Sequence, residues 1–164
     1  MSEDELYKTK AYWLGYLAGI LDGEGTISLH KVRRNIIRGK IYERGFDWHP
    51  CVQIGSSEVE VLNTLQDICE GGTVHKANTW KGKQFYVLSI PPNTQRDVLQ
   101  KIRLVIKERH RVLLLEALEK IGRWNKTLVN EIRLTQIYEE FKKLNVKGRN
   151  KRKLGEEVEL YALL

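Results

Sequence analysis

The 164-residue sequence predicts an α+β fold: one four-stranded antiparallel sheet backed by helices, in the order α-β-β-α-β-β-α, with more helix at the C-terminal end. Three observations carry this reading. Apolar residues recur at helical spacing over residues 6–21 and again beyond residue 95. They alternate with polar residues over 26–30 and 46–54. Clusters of Gly, Pro and Asn punctuate the stretches between.

Taken in order, residues 6–21 read as a helix led by Glu3, Asp4 and Glu5, acids that favour the positive end of the helix dipole, and stopped at Gly23 and Gly25. From Thr26 the period is two, with Ile27 and Leu29 alternating with Ser28 and His30 in a half-buried strand. Residues 33–45 form a basic loop. A second strand alternates Phe46, Trp48, Val52 and Ile54 with Asp47, His49, Cys51 and Gln53. Ser56, Ser57 and Glu60 resemble a capping box that opens a helix to about residue 68, where Gly71 and Gly72 end it. Residues 73–80 and 84–90 read as a hairpin around Lys81, Gly82 and Lys83. Pro91 to Thr94 close that strand and start a helical pattern running through 95–121, and another helix spans 127–144. A basic loop follows at 146–153, then a short amphipathic tail. We take the chain as one domain, residues 1–164, with a core over about 6–121 and a helical, basic extension over about 122–164.

Composition narrows the class. The chain is 41% hydrophobic and 30% charged, and no apolar run approaches the ~18 residues of a membrane span. The acidic N-terminus lacks the pattern of a secretory signal, and Cys51 and Cys69 form no C-x-x-C, so an intracellular, reducing setting is expected. The net charge of +7 points to a polyanion, and its distribution is uneven. Residues 31–50 carry six basic and two acidic side chains, whereas 51–71 carry four acids and no base.

The most informative stretch is residues 14–27, LGYLAGILDGEGTI. On a helix Gly15, Ala18, Gly19 and Asp22 share one face, where small residues let a second backbone approach, and Leu14, Leu17 and Leu21 turn elsewhere toward a core. Glu24 follows the helix between Gly23 and Gly25. One acid among bare backbone carbonyls is an oxygen-only donor set, suited to a hard divalent cation such as Mg²⁺.

Residues 17–25, LAGILDGEG, resemble the nine-residue signature of the LAGLIDADG homing endonucleases, with Glu24 at the place of the second Asp. The element order over residues 6–121 is similar to that homing-endonuclease-like fold, in which a saddle-shaped sheet is expected. With no internal repeat, the chain looks like the single-motif, homodimeric branch. The resemblance implies that the motif helices of two chains pack together through Gly15, Ala18 and Gly19. The two Glu24 side chains would then meet near the dyad and hold shared Mg²⁺, helped by the Gly23 carbonyl, with Asp22 as a helix-end acid supporting the interface. Like charges so placed repel unless a cation lies between them, and that cation can stabilise both oxygens of a phosphodiester hydrolysis.

For the rest of the centre the resemblance implies a basic residue in a Leu-x-x-Lys pattern. Residues 104–107, LVIK, fit it, making Lys107 the candidate and Arg109 the alternate. Ser56 aligns with a water-positioning polar residue that is often Gln, and is also placed to cap the following helix. Glu60 departs from the pattern, where relatives can carry an Arg.

A two-stranded ribbon fits the major groove of double-stranded DNA with alternate side chains toward the bases. The first strand offers Ser28, His30 and Arg34, the second Asp47, His49, Cys51 and Gln53, and the hairpin His75 with Lys81 or Lys83. Lys31, Arg33, Arg38, Lys40 and Arg44 suit phosphates. The basic loop at 147–153 either extends the footprint or is solvated surface. The expected activity is therefore a Mg²⁺-dependent, site-specific cut of duplex DNA that leaves 3′ overhangs. The rivals are an RNA-binding splicing maturase and a non-catalytic DNA-binding regulator on the same fold.

Overall fold

The computed structural model describes residues 3–33, 36–37, 40–41, 45–80, 82–122 and 126–145. Helix α1 (Glu3–Gly23) buries Leu17 and Leu21 completely, two residues four apart on one face, so the helix lies with that stripe on the core. Strand β1 (Thr26–Arg33) follows after one short turn. A small ribbon of β2 (Ile36–Ile37) and β3 (Lys40–Ile41) occupies part of the stretch expected to be loop. Then come β4 (Phe46–Ser56), α2 (Val59–Ile68), β5 (Thr73–Trp80), β6 (Lys83–Ile90), α3 (Pro92–Lys101), α4 (Glu108–Lys120) and α5 (Leu128–Leu144).

The four long strands form one antiparallel sheet in the order β1-β4-β6-β5. Ile27, Leu29, Val52, Ile54, Leu88 and Ile90 point to one face, where helices cover them. Each such Leu or Ile contributes about 1.5–3 kcal/mol on burial, which fixes the register, because a one-residue slip would expose the whole set. Helix α5 adds Leu134, Ile137 and Phe141 to the same core, and the Trp48 indole N–H donates to Glu131 across it at 3.0 Å. No described helix is long and apolar enough to cross a membrane.

Two expectations are corrected. The helix predicted over 95–121 is two helices, α3 and α4, separated by residues 102–107. Ile102 and Leu104 are buried while Arg103 between them is exposed, an extended alternation, and carboxylates capture the backbone N–H groups that a helix would have used. The predicted capping box does not form. Helix α2 starts at Val59 after Glu58, whose side chain makes no cap bond, and the Ser56 hydroxyl accepts the Glu58 N–H at 3.0 Å.

Candidate functional site

The end of α1 is built by its glycines. The N–H groups of Glu24 and Gly25 both donate to the Ile20 carbonyl, at 2.9 and 3.0 Å, which closes the helix. A β-carbon at Gly25 would sit 2.5 to 2.9 Å from Leu21 atoms, including backbone, so only glycine lets the chain turn this sharply into β1. Gly23 faces open space. Glu24 stands between them, exposed, and among the described residues its side chain makes no hydrogen bond or ion pair.

Asp22 points the other way, toward the turn before α4. Its carboxylate accepts the backbone N–H groups of Val105, Ile106 and Lys107 at 2.7–3.0 Å. Burial pushes its pKa up, but the three N–H bonds and the Lys107 charge outweigh that and hold the carboxyl below its ordinary value. The Lys107 ammonium returns the contact, donating to the carbonyls of Leu21, Gly23 and Gly25 at 3.1, 3.2 and 2.8 Å. Three donors meet three carbonyls at the negative end of the α1 dipole. Burial lowers the Lys107 pKa, opposed by the charges of Asp22 and Glu24.

Residues 104–107 are held from a second side. Glu108 accepts the Leu104 N–H at 3.0 Å, and the buried Arg111 guanidinium binds Glu108 while donating to the Leu99 carbonyl at 2.8 Å. The Arg111 side-chain bonds hold the Glu108 carboxyl down to about 2. Sequence reasoning missed Arg111 and Glu108. Their signal is a basic residue three positions after an acid, just past a strand-like Ile-x-Leu, but i,i+3 charge pairs are common on helices. Arg109, the alternate cation, instead pairs with Glu140 on α5.

Among the described residues no three His, Cys, Asp or Glu side chains gather to hold a metal. Glu24 is the one motif acid with free oxygens, since Asp22 spends both of its own on backbone N–H groups. The donor chemistry therefore fits a hard divalent cation held by Glu24, provided a second chain or a phosphate completes the oxygen shell. The Gly23 carbonyl, the expected helper, already accepts from Lys107.

Ser56 is directed away from this centre. It pairs with Tyr86 and shares the parity of Val52 and Ile54, whose side chains enter the core, and its hydroxyl serves Glu58. The reason is strand alternation: Gln53 and Gly55 take the outward face.

That outward face gathers most of the described residues expected to meet DNA. The register opposes Ser28 to Cys51, His30 to His49 and Thr26 to Gln53, so their side chains share a side, joined by Asp47, His75 and Lys83. Ser28 is a correction, because it is only 6% exposed. Its hydroxyl is bonded to His30 Nε2 at 2.8 Å. Burial pushes the half-buried Cys51 thiol up, with a Ser28 hydrogen bond opposing. Lys31 and Arg33 have the opposite parity. The Lys31 ammonium lies 4.0 Å from the Phe46 ring centroid, a cation–π contact on the helix-covered side of the sheet. Arg34, Arg38, Arg44, Lys81 and the 147–153 loop lie outside the described residues; Lys40 is described only as part of β3.

The face of α1 away from the core is bare. Gly15 and Gly19 have nothing within 4 Å of where a β-carbon would be, and Tyr12 and Tyr16 flank them, 66% and 40% exposed. Ala18 leans onto the core edge and Asp22 turns inward, so the open stripe is Gly15, Gly19 and Gly23 rather than the predicted Gly15, Ala18, Gly19 and Asp22.

No protein-family model matches the sequence, and no curated protein matches it either. Solved structures do. I-CvuI, a homing endonuclease determined in complex with its target in the presence of Ca, is 20% identical with a TM-score of 0.68 over 87% of each chain. I-Vdi141I, an archaeal intron-encoded homing endonuclease complexed with DNA, is 18% identical with a TM-score of 0.69, covering 85% of this chain and 87% of that one. The homing endonuclease I-TnaI is 22% identical with a TM-score of 0.65, covering 87% of this chain and 96% of that one. The chain thus has the homing-endonuclease fold that residues 17–25 led us to expect.

Proposed function

We propose that the protein is a site-specific DNA homing endonuclease of the LAGLIDADG type. In this reading it acts as a homodimer on a long, roughly palindromic duplex, uses Mg²⁺, leaves 3′ overhangs and is encoded within an intron. One observation carries the reading: the Glu24 carboxylate, exposed and unpartnered among the described residues, stands where the bare face of α1 meets the outward face of the sheet. The bare glycine stripe supports pairing of two α1 helices, which would bring two Glu24 carboxylates toward one dyad. Net charge supports a DNA partner, +7 per chain.

The division of labour follows from the contacts. Glu24 would hold the divalent cation, which when bound polarises the scissile phosphate and an attacking water. Asp22 holds the 105–107 turn, and that turn presents Lys107. The Lys107 ammonium fixes the carbonyls around Glu24 and places a positive charge beside the carboxylate, so the turn is set before substrate arrives. His30, His49, His75, Asp47, Cys51, Gln53 and Lys83 face the major groove, where they position the duplex and read bases. An intact acid at Glu24 supports the nuclease over the maturase and the regulator, neither of which needs it.

The test is a supercoiled plasmid library with randomised inserts, incubated with Mg²⁺ or with EDTA. A linear product that requires Mg²⁺ and is lost in Glu24→Gln supports the nuclease. Absence of linear product from every insert overturns it.

A further inference from the structure

Beside Glu24 the outward sheet face is not polar. A recess of about 200 Å³ opens there, lined by Glu24, Thr26, Gln53, Gly55, Phe85 and Val87. Its floor is apolar. The Phe85 ring lies so close over Gly55 that a β-carbon there would be 2.5 Å from two ring carbons. Val87 pairs directly with Gly55, so its methyl groups rise beside that ring. Phe85 remains 37% exposed, and with Val87 beside it forms an apolar patch next to the polar Gln53.

At the polar rim, Gln53 donates from Nε2 to the Ser89 hydroxyl at 3.0 Å. That bond steadies the amide and leaves its oxygen and one N–H unused. Those two groups match N6 and N7 of adenine in the major groove, while the partner thymine presents only O4 and a C5 methyl group. An apolar pocket of this size, next to an amide with one donor and one acceptor left, has the chemistry of an A·T pair.

We propose that Phe85 and Val87 read a thymine C5 methyl group in each half-site, adjacent to the Glu24 centre, with Gln53 placed for the adenine edge of that pair. The inference rests on the DNA-binding reading above. Gly55 is part of the device, because only its lack of a β-carbon lets Phe85 lie flat enough to leave the recess open.

The experiment uses the full chain in Ca²⁺ with a pool of duplexes carrying a long randomised core. The selected consensus is then resynthesised with deoxyuridine replacing each thymine in turn, which removes only the methyl group. We expect one thymine per half-site whose replacement weakens binding about fourfold, the effect of one buried methyl. In Phe85→Ala that position should no longer distinguish thymine from uracil, with the rest of the consensus retained. A consensus in which no thymine responds, or a response that persists undiminished in Phe85→Ala, overturns the methyl pocket and leaves DNA recognition standing. A pool from which nothing is enriched overturns both. The uracil readout on the unmodified protein needs no variant to fold.

Discussion

Asp22 accepts the backbone N–H of Lys107 at 2.7 Å, and the Lys107 ammonium donates to the carbonyls of Leu21 and Gly23 on either side of Asp22, at 3.1 and 3.2 Å. The two residues lie 85 positions apart in the chain, and each caps the backbone that carries the other. A motif acid that the sequence places at a dimer face is in this structure the clasp between α1 and the turn before α4.

Removing that clasp should cost stability as well as activity. Asp22→Ala leaves three backbone N–H groups without their carboxylate, an expected loss of about 1–2 kcal/mol. Asp22→Asn should retain part of it, since the amide oxygen still accepts. Thermal melts order the three proteins. Equal melting temperatures would mean that water replaces the carboxylate without cost.

Lys107→Arg should fail to restore what Lys107→Met loses. A planar fork cannot converge on three carbonyls as an ammonium does. Cleavage is expected to fall by about a hundredfold in both variants, with DNA affinity little changed. Single-turnover rates beside equilibrium binding measure the split, and a loss confined to binding would place Lys107 on the phosphate backbone instead.

Glu24→Gln should abolish cleavage, by about a thousandfold or more, and spare folding and duplex binding. Among the described residues the carboxylate has no hydrogen-bond partner to lose. Gel-shift and cleavage assays on the same duplex decide it. Residual cleavage near the wild-type level would remove Glu24 from the metal centre.

Gly15→Leu and Gly19→Leu should act with opposite signs on the chain and on its dimer. Within one chain both sites face open space, and leaving glycine stabilises a helix interior by about 0.5–1 kcal/mol. Between two α1 helices the added side chains would force the backbones apart. Sedimentation across concentration should show a shift to monomer without loss of helical circular dichroism. A dimer of undiminished affinity would place the interface elsewhere.

The Glu108–Arg111 pair predicts a specific acid sensitivity. The Glu108 carboxyl is held down to about 2, by its bonds to Arg111 first, against an ordinary 4.5. A depressed acid contributes stability that is present above its unfolded pKa and lost as pH falls toward its folded one. Wild type should therefore exceed Glu108→Gln in melting temperature at neutral pH, and the gap should close between about pH 4.5 and about pH 2. A gap independent of pH would assign the difference to packing alone.

Much of this architecture was legible because it depends on local period. Alternation put His30 and His49 on one face and Ile27 and Val52 on the other, and the glycines after Leu21 marked the end of α1. The continuous helix expected over 95–121 was not, because Leu104, Val105 and Ile106 satisfy a helical pattern as well as an extended one. The choice was made by Asp22, a residue far away in sequence. Ser28 illustrates the other limit: its parity is outward, yet it is buried, with its hydroxyl bonded to His30 and Cys51.

By itself, then, the sequence determined the main helix-and-strand pattern, the faces of the sheet and the place of the acid-bearing turn. These follow from periodicity and from the bare turn that Gly23 and Gly25 make around Glu24. Tertiary structure alone decided which motif acid is free. Asp22 and Glu24 are both carboxylates two residues apart, the first in the last turn of α1 and the second just past it. Only the docking of residues 105–107 against α1 turned one toward backbone N–H groups and left the other open. The recess at Phe85 has the same origin, since Gly55 and Val87 meet only through the pairing of β4 with β6.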